Sequence, residues 1–347
     1  MSTVSIVIPV HNAEKYLAAC VESALRQMDA NDEIILVENG SEDGSAHICE
    51  KYAQNAKNVE YIQLGPVGVS VARNEGIQAA RNSWITFLDA DDKLLDGALS
   101  CIKSRDLPQD AEVLVCDYSR SETDQCGQTD QFTPISADLL ARGVLRFAKY
   151  KRKIQKVAPI DDYNNWASWG KFYKRQLLLD HKAAFPEKIR LSEDTAFCFQ
   201  VYCAADHVYA VKEKVYFYRR NEGSAIHGYK KWLVQNNEQL LAWFERYRAR
   251  HFQAKNVWKR DFAALYSTKL IDICRCLQDA RYGEALIKRQ ETFQKLCHTD
   301  YLCRAIHDAP FFWLINGRRN NLRYAGYLFY LKFGLGNRLI QQSHSEK

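Results

Sequence analysis

Phe87-Leu88-Asp89-Ala90-Asp91-Asp92 closes the fourth of a series of short apolar runs, and its reading decides the fold. Trp84 to Leu88 is aromatic and β-branched, the composition of a buried strand. The run ends in three carboxylates within four residues. Side chains alternate along an extended chain, so Asp89 and Asp91 point the same way if that path continues. In an open parallel sheet, ligands bind outside the carboxyl ends of the strands, where this cluster falls. Like charges at that spacing repel unless a cation sits among them. A hard divalent ion with oxygen ligands that also bridges a diphosphate meets the need. A solvated turn in which Asp92 or Asp96 caps the next helix accounts for the same residues.

Toward the N-terminus the pattern recurs. Ser5-Ile6-Val7-Ile8 reads as a strand stopped by Pro9. Asn12 reads as a helix N-cap, with Tyr16, Leu17, Cys20, Val21, Ala24 and Leu25 following at helical spacing. Glu33 to Val37 is a second strand ending in Glu38-Asn39-Gly40-Ser41, and Val59 to Leu64 is a third, broken by Gly65-Pro66. Helices fit about Ser45 to Ala56 and Val69 to Arg81. Strands alternating with helices predict parallel pairing through right-handed crossovers. Three strand ends then share one mouth: Pro9 to Asn12, Glu38 to Ser41, and Asp89 to Asp92. No G-x-G-x-x-G follows the first strand and no G-x-x-x-x-G-K-[ST] occurs, which sets aside dinucleotide-type and P-loop sites. Pro9-Val10-His11-Asn12 also stands where sugar nucleotidyltransferases carry a glycine-rich loop.

These pieces resemble the family 2 glycosyltransferases. Ser5 to Leu17 is similar to the family's opening strand and helix, and Val37-Glu38-Asn39-Gly40-Ser41-Glu42-Asp43-Gly44-Ser45 to its V-D-D-G-S-x-D-x-S. Gly68-Val69-Ser70-Val71-Ala72-Arg73-Asn74-Glu75-Gly76 is similar to G-x-x-x-A-R-N-x-G, and Phe87 to Asp92 supplies the D-x-D. The resemblance implies an α/β fold of the GT-A nucleotide-diphospho-sugar transferase type, a Rossmann-like, mostly parallel sheet. It implies that Glu38, with Asn39, takes the place of the acid pair that reads uracil, while Pro9 and Val10 line the base. It also puts Arg73 near the base or diphosphate, Asp89 with Ala90 near the ribose, and Asp91, with Asp89, on Mn²⁺ or Mg²⁺. Taken alone, Asn39-Gly40 is an ordinary turn and Arg73 an ordinary helix residue.

Further on, Trp166-Ala167-Ser168-Trp169-Gly170-Lys171-Phe172-Tyr173-Lys174-Arg175 looks like the family stretch that opens the acceptor side, which implies acceptor contacts from Trp169 and Lys171. Aromatic rings suit sugar faces, and equally suit cores. Ser192 reads as the N-cap of an apolar helix through about Ala204, so Glu193 and Asp194 fall in its first turn, where the helix dipole favours acids. The resemblance makes the same pair catalytic, with Asp194 as base. Val208 to Arg220 reads as a strand pair, and the following segment, similar to the family's Y-R-x-x-x-x-S, implies metal or diphosphate contact for His227. Lys149, Lys151, Arg152, Lys153 and Lys156 form a basic run that fits a solvated face, or a loop meeting a phosphate-bearing acceptor or anionic membrane.

The chain has 347 residues, a formal net charge of +6 and eleven cysteines without C-x-x-C pairs. That charge, with no reading motif, argues against nucleic acid as a partner. The unpaired cysteines fit reduced thiols in a cytoplasmic protein. Neither a secretory leader nor a membrane span is expected. Residues 1–227 are expected to form the catalytic domain, with a nucleotide-sugar half over 1–118 and an acceptor half over 119–227. From about Trp232, Leu240, Leu241, Phe244 and Tyr247, then Phe262, Leu265, Tyr266, Leu270 and Cys274, recur at helical spacing, so 228–347 reads as a helical region. Its aromatic, basic end, Phe311 to Ile315 and Tyr324 to Leu335, fits a peripheral membrane anchor at the inner face of the plasma membrane, or packing on the catalytic domain or a sister subunit.

The whole reads as an inverting, metal-dependent hexosyl- or N-acetylhexosaminyltransferase. It would move a sugar from a UDP-sugar to a glycan or lipid-linked saccharide in bacterial polysaccharide synthesis. A non-catalytic sugar-nucleotide-binding subunit of an assembly complex is the alternative.

Overall fold

All seven residues of β1 (Val4–Val10) and of β2 (Glu33–Asn39) are buried, the signature of parallel strands covered on both faces. The computed structural model describes residues 2–104, 106–127, 131–158, 166–220, 232–252, 258–279, 282–308 and 331. The chain divides into two units, Met1–Ser224 and Ala225–Lys347.

In the first unit α1 (Glu14–Leu25), α2 (Ser45–Asn55) and α3 (Val69–Ala79) alternate with β1, β2, β3 (Val59–Leu64) and β4 (Trp84–Phe87). Then come β5 (Lys93–Leu94), α4 (Ser100–Lys103), β6 (Val113–Ser119), β7 (Thr133–Ile135), α5 (Ala137–Leu145), α6 (Phe147–Val157), β8 (Lys171–Lys174), α7 (Arg175–Asp180), α8 (Glu193–Ala204) and β9 (Val208–Phe217). The sheet order is β3-β2-β1-β4-β8-β6-β9-β5, with β7 also on β9. The first four strands pair in parallel, as the alternating pattern predicts. This is the expected α/β, mostly parallel GT-A architecture.

Direction in the sheet places the site. Strand β8 runs antiparallel to β4 and to β6, so it begins where β4 ends. Strand β9 runs parallel to β6 and therefore ends at that same mouth. The loop before β8, the end of β9 and the Asp89 to Asp92 turn are thus brought to one edge by register alone.

Three local expectations are corrected. Val208 to Arg220 is not a strand pair: β9 is a single ten-residue strand. Its charged centre Lys212-Glu213-Lys214 is accommodated by register shifts against β6 between Val115 and Tyr118. Asn12 does not cap α1; it adopts φ 50°, the helix starts at Glu14, and the Asn12 amide oxygen accepts the Glu42 N–H at 2.8 Å. Ser192 holds the cap position of α8 at φ 72° and makes no side-chain capping bond.

Close packing of α3 on β1 requires a glycine. A Cβ on Gly76 would lie 2.2 Å from Val7 Cγ1, and Val7 is fully buried. Helix propensity favours alanine by about 1 kcal/mol, but overpacking a rigid core costs about 1–3 kcal/mol. Gly76→Ala is therefore expected to lower the denaturant midpoint, and a raised midpoint would show that the contact yields.

The second unit contains α9 (Leu233–His251), α10 (Lys259–Gln278), α11 (Leu286–Cys297) and α12 (Asp300–Asp308). Leu240, Leu241 and Phe244 on α9 are buried, as are Phe262, Leu265, Tyr266, Leu270 and Cys274 on α10. These are the positions the helical spacing picks out. The Tyr266 hydroxyl donates to Glu245 at 3.0 Å, tying α10 to α9. Among the described residues no helix is long and apolar enough to cross a membrane. Most of the aromatic, basic stretch from Phe311 to Leu335 lies outside the described residues.

Candidate active site

The side of the mouth expected to take the donor is built from the ends of β1 and β2. Their register sets Pro9 beside Val37 and Val10 beside Glu38, all buried. Glu38 accepts the Ser41 N–H through Oε1, which closes the turn. Asn39 Oδ1 accepts the N–H groups of Val67 and Gly68, each at 2.9 Å. Gly40 is at φ +69°, and a Cβ there would meet the Pro66 nitrogen at 2.6 Å. The Asn39-Gly40 pair therefore pins the loop that leads into α3. Glu14 Oε2 accepts the Gly44 N–H and Ser45 Oγ accepts the Ala13 N–H, which locks the two loops together.

Arg73 on α3 is the hub of the mouth. Its Nη2 donates to Asp89 Oδ1 at 2.9 Å; Nη1 donates to Glu193 Oε1 at 3.0 Å and Asp194 Oδ1 at 2.9 Å. The Arg73 side chain is only 5% exposed, against 26% for the Asp89 side chain and 19% for that of Asp194. Phe185 covers it, with the ring centroid 5.2 Å from Cζ. Arg73 therefore joins the turn after β4 to the first turn of α8. Burial disfavours its charge, but Asp194, Asp89 and Glu193 together outweigh that and hold the proton firmly. Burial raises the pKa of Glu193, with Asp194 adding to it and Arg73 opposing. Burial likewise raises that of Asp194, against the pull of Arg73. An acid raised in this way holds a proton more tightly, which suits a base.

Asp92 is buried in the adjoining corner. Its Oδ2 accepts the Tyr216 hydroxyl at 2.6 Å and its Oδ1 the Arg219 N–H at 2.7 Å. Arg219 Nε donates to the Asp91 carbonyl at 2.8 Å, and Tyr216 accepts the Asp89 N–H at 3.2 Å. The end of β9 thus shapes the D-x-D turn. Burial, then repulsion from Asp89 and Asp91, pushes Asp92 up to about 8.

That crowding tests whether the residues fit a divalent ion. Negative charge is in excess here, and a cation would relieve it. Among the described residues no three His, Cys, Asp or Glu side chains group as metal ligands. One or two carboxylates completed by substrate phosphates is the usual arrangement for Mg²⁺. Asp91, the second acid of the D-x-D, is the carboxylate that the family resemblance would set on such an ion; Asp89 is bound by Arg73, and Asp92 by Tyr216 and Arg219. His227 lies outside the described residues.

Trp169 and Lys171, the residues expected to meet an acceptor, are both buried. Trp169 is 7% exposed and stacks on Tyr216 at 4.5 Å and on Tyr218 at 5.3 Å, with Tyr118 at its edge. Lys171 is 2% exposed, and its ammonium turns to the carbonyls of Ala167, at 2.7 Å, and Trp169, at 3.5 Å. Ser168, Tyr216 and Arg219 were missed as site residues. Tyr216 reads as one more strand aromatic, and only the direction of β9 brings it to Asp92. Ser168 carried a weak signal, its place inside the W-A-S-W stretch.

The family model described as Glycosyl transferase family 2 matches residues 5–176, which contain the loops after β1 and β2, Arg73 and the D-x-D turn. The uncharacterized glycosyltransferase EpsJ of Bacillus subtilis is 30% identical over 221 residues, 64% of this chain and 62% of that protein. The minor teichoic acid biosynthesis protein GgaA of the same organism is 31% identical over 231 residues, 63% of this chain and 47% of that one. The matched stretches thus span less than two thirds of these relatives. Among solved structures, S. aureus TarS 1–349 in complex with UDP-GlcNAc superimposes with a TM-score of 0.67 at 17% identity, covering 99% of this chain and 91% of that one. At that identity the likeness speaks for the fold. With the motifs in order and the sheet built as they require, the chain carries a glycosyl transferase family 2 domain over residues 5–176.

Proposed function

We propose that this chain transfers a sugar, with inversion, from a UDP-sugar to a glycan or lipid-linked saccharide acceptor, using Asp194 as general base. The observation that carries the reading is the Arg73 hub, which binds the donor-side Asp89 and the acceptor-side Asp194 through one guanidinium. Asp194 as the carboxylate takes the proton of the acceptor hydroxyl while that oxygen attacks the anomeric carbon opposite the departing UDP. The bond between that carbon and the β-phosphate oxygen breaks, and UDP leaves with the electron pair. Glu38 accepts from the uracil imide N–H. When bound at Asp91, Mn²⁺ or Mg²⁺ would neutralise charge on the diphosphate. TarS was crystallised with UDP-GlcNAc and GgaA is named for teichoic acid synthesis, which supports a UDP-linked donor and a cell-surface polymer as the destination.

The test is thermal stabilisation across a nucleotide-sugar panel with Mn²⁺. UDP-sugars are expected to raise the melting temperature, by an amount set by the ratio of ligand to Kd, and GDP-, CDP- and dTDP-sugars to raise it less. Preferential stabilisation by a non-uridine donor would overturn the donor class.

A further inference from the structure

Ser168 is fully buried, yet its hydroxyl donates to Asp194 Oδ1 at 3.1 Å. Three successive carbonyls around it are tied down by side chains of β8. The Ala167 carbonyl accepts from Lys171 Nζ at 2.7 Å and the Trp169 carbonyl lies 3.5 Å from the same ammonium. The Ser168 carbonyl accepts from the Tyr173 hydroxyl at 2.8 Å. Lys171 and Tyr173 are themselves buried, so the loop rests on fixed supports. Burial lowers the proton affinity of Lys171, and the carbonyls compensate the ammonium that remains. Arg73 Nη1 donates to the same Asp194 oxygen that Ser168 uses. Both side-chain donors converge on Oδ1, the Ser168 backbone N–H adds to the hold on the same carboxylate, and among the described residues no side chain donates to Oδ2.

We propose that Ser168, held by Lys171 and Tyr173, is a positioning residue that fixes the Asp194 carboxylate so that Oδ2 is presented to the acceptor hydroxyl. The inference rests on the reading of Asp194 as the base. It gives the buried Lys171 a role: its ammonium supports the loop that aims the base. Two donors on one oxygen also hold the carboxylate against rotation, and misplacing a reacting group by an ångström costs on the order of a hundredfold.

A merely structural serine and a positioning serine differ in what they move. The charged and titratable groups around Asp194 are Arg73, Asp89, Glu193, Lys171, Tyr173 and Cys198. A donated hydrogen bond favours the ionised carboxylate, so losing the Ser168 hydroxyl raises the pH at which Asp194 ionises. Ser168→Ala, the nearly isosteric weak donor Ser168→Cys, and Asp194→Asn are compared in the full chain. The probe is UDP-GlcNAc with Mn²⁺ and water as acceptor, read as UDP release against pH. Calorimetric UDP affinity and carboxylate titration by ¹³C NMR of aspartate-labelled protein, assigned with Asp194→Asn, are measured alongside.

Ser168→Ala is expected to lower kcat by about ten- to a hundredfold, with KM and UDP affinity near wild type. Its acid limb and the Asp194 carbon titration both move to higher pH, and Ser168→Cys falls between. An unmoved carbon titration, or a loss of kcat that only follows weaker UDP affinity, overturns the inference. If Asp194→Asn is inactive while Ser168→Ala matches wild type, the positioning role alone fails. If Asp194→Asn releases UDP at the wild-type rate, the base assignment itself fails.

Discussion

Asp194→Asn is expected to reduce sugar transfer by about two to four orders of magnitude, the range for a lost acid–base group, while UDP affinity in Mn²⁺ stays near wild type. The amide keeps the size of the carboxylate and can still accept from Arg73 and Ser168, but it cannot take a proton. It also removes one of the three carboxylates that share Arg73, so Asp89 and Glu193 bind the guanidinium without a competitor. The fold is therefore expected to tolerate the change. A first-turn acid serving only the helix dipole would behave in the opposite way, costing up to about 1 kcal/mol of stability with little effect on rate. Calorimetric UDP affinity and transfer rate, measured on the same preparation, separate the two. Near-wild-type transfer would remove Asp194 and move the role to Glu193, its neighbour on the same guanidinium.

Asp91→Asn is expected to abolish turnover and to weaken UDP binding only when a divalent ion is present. Two unit charges about 4 Å apart interact by roughly 1 kcal/mol in water and about 4 kcal/mol near a protein surface. Losing one carboxylate charge beside a dication should therefore cost at least about tenfold in Mn²⁺-dependent UDP affinity. With EDTA, wild type and variant should bind UDP alike. The variant should also relieve part of the repulsion that raises Asp92, so Asp92 ionises at lower pH than in wild type. Full wild-type transfer in excess EDTA would rule out the metal.

The parallel half of the sheet was legible because β1 and β2 are continuous apolar runs and helices of the right period separate the strands. The turn after β4 was legible because three acids cannot end a buried strand without a reason. Which groups they meet was not, since Arg73 and Glu193 stand 120 positions apart and only the antiparallel insertion of β8 with the start of α8 brings them together. The same limit hid Tyr216, whose hydroxyl reaches Asp92 across 124 positions. Asn12 and Ser192 misled because both carry good capping side chains. In the fold each adopts a left-handed conformation, and Asn12 bonds across to the neighbouring loop. For Lys171 the family stretch implies acceptor contact, and burial, which the sequence does not show, turns its ammonium to the carbonyls of Ala167 and Trp169.

A single displacement with one base inverts the anomeric carbon, so the stereochemistry of the first product distinguishes it from retention. With UDP-GlcNAc, an α-linked donor, and water as acceptor, ¹H NMR of the released sugar resolves the anomers before they equilibrate. Attack opposite the departing UDP predicts that β-GlcNAc appears first. If α-GlcNAc appears first, the sugar has left with retention, and neither Asp194 as the sole base nor the direct displacement derived from the Arg73 hub stands.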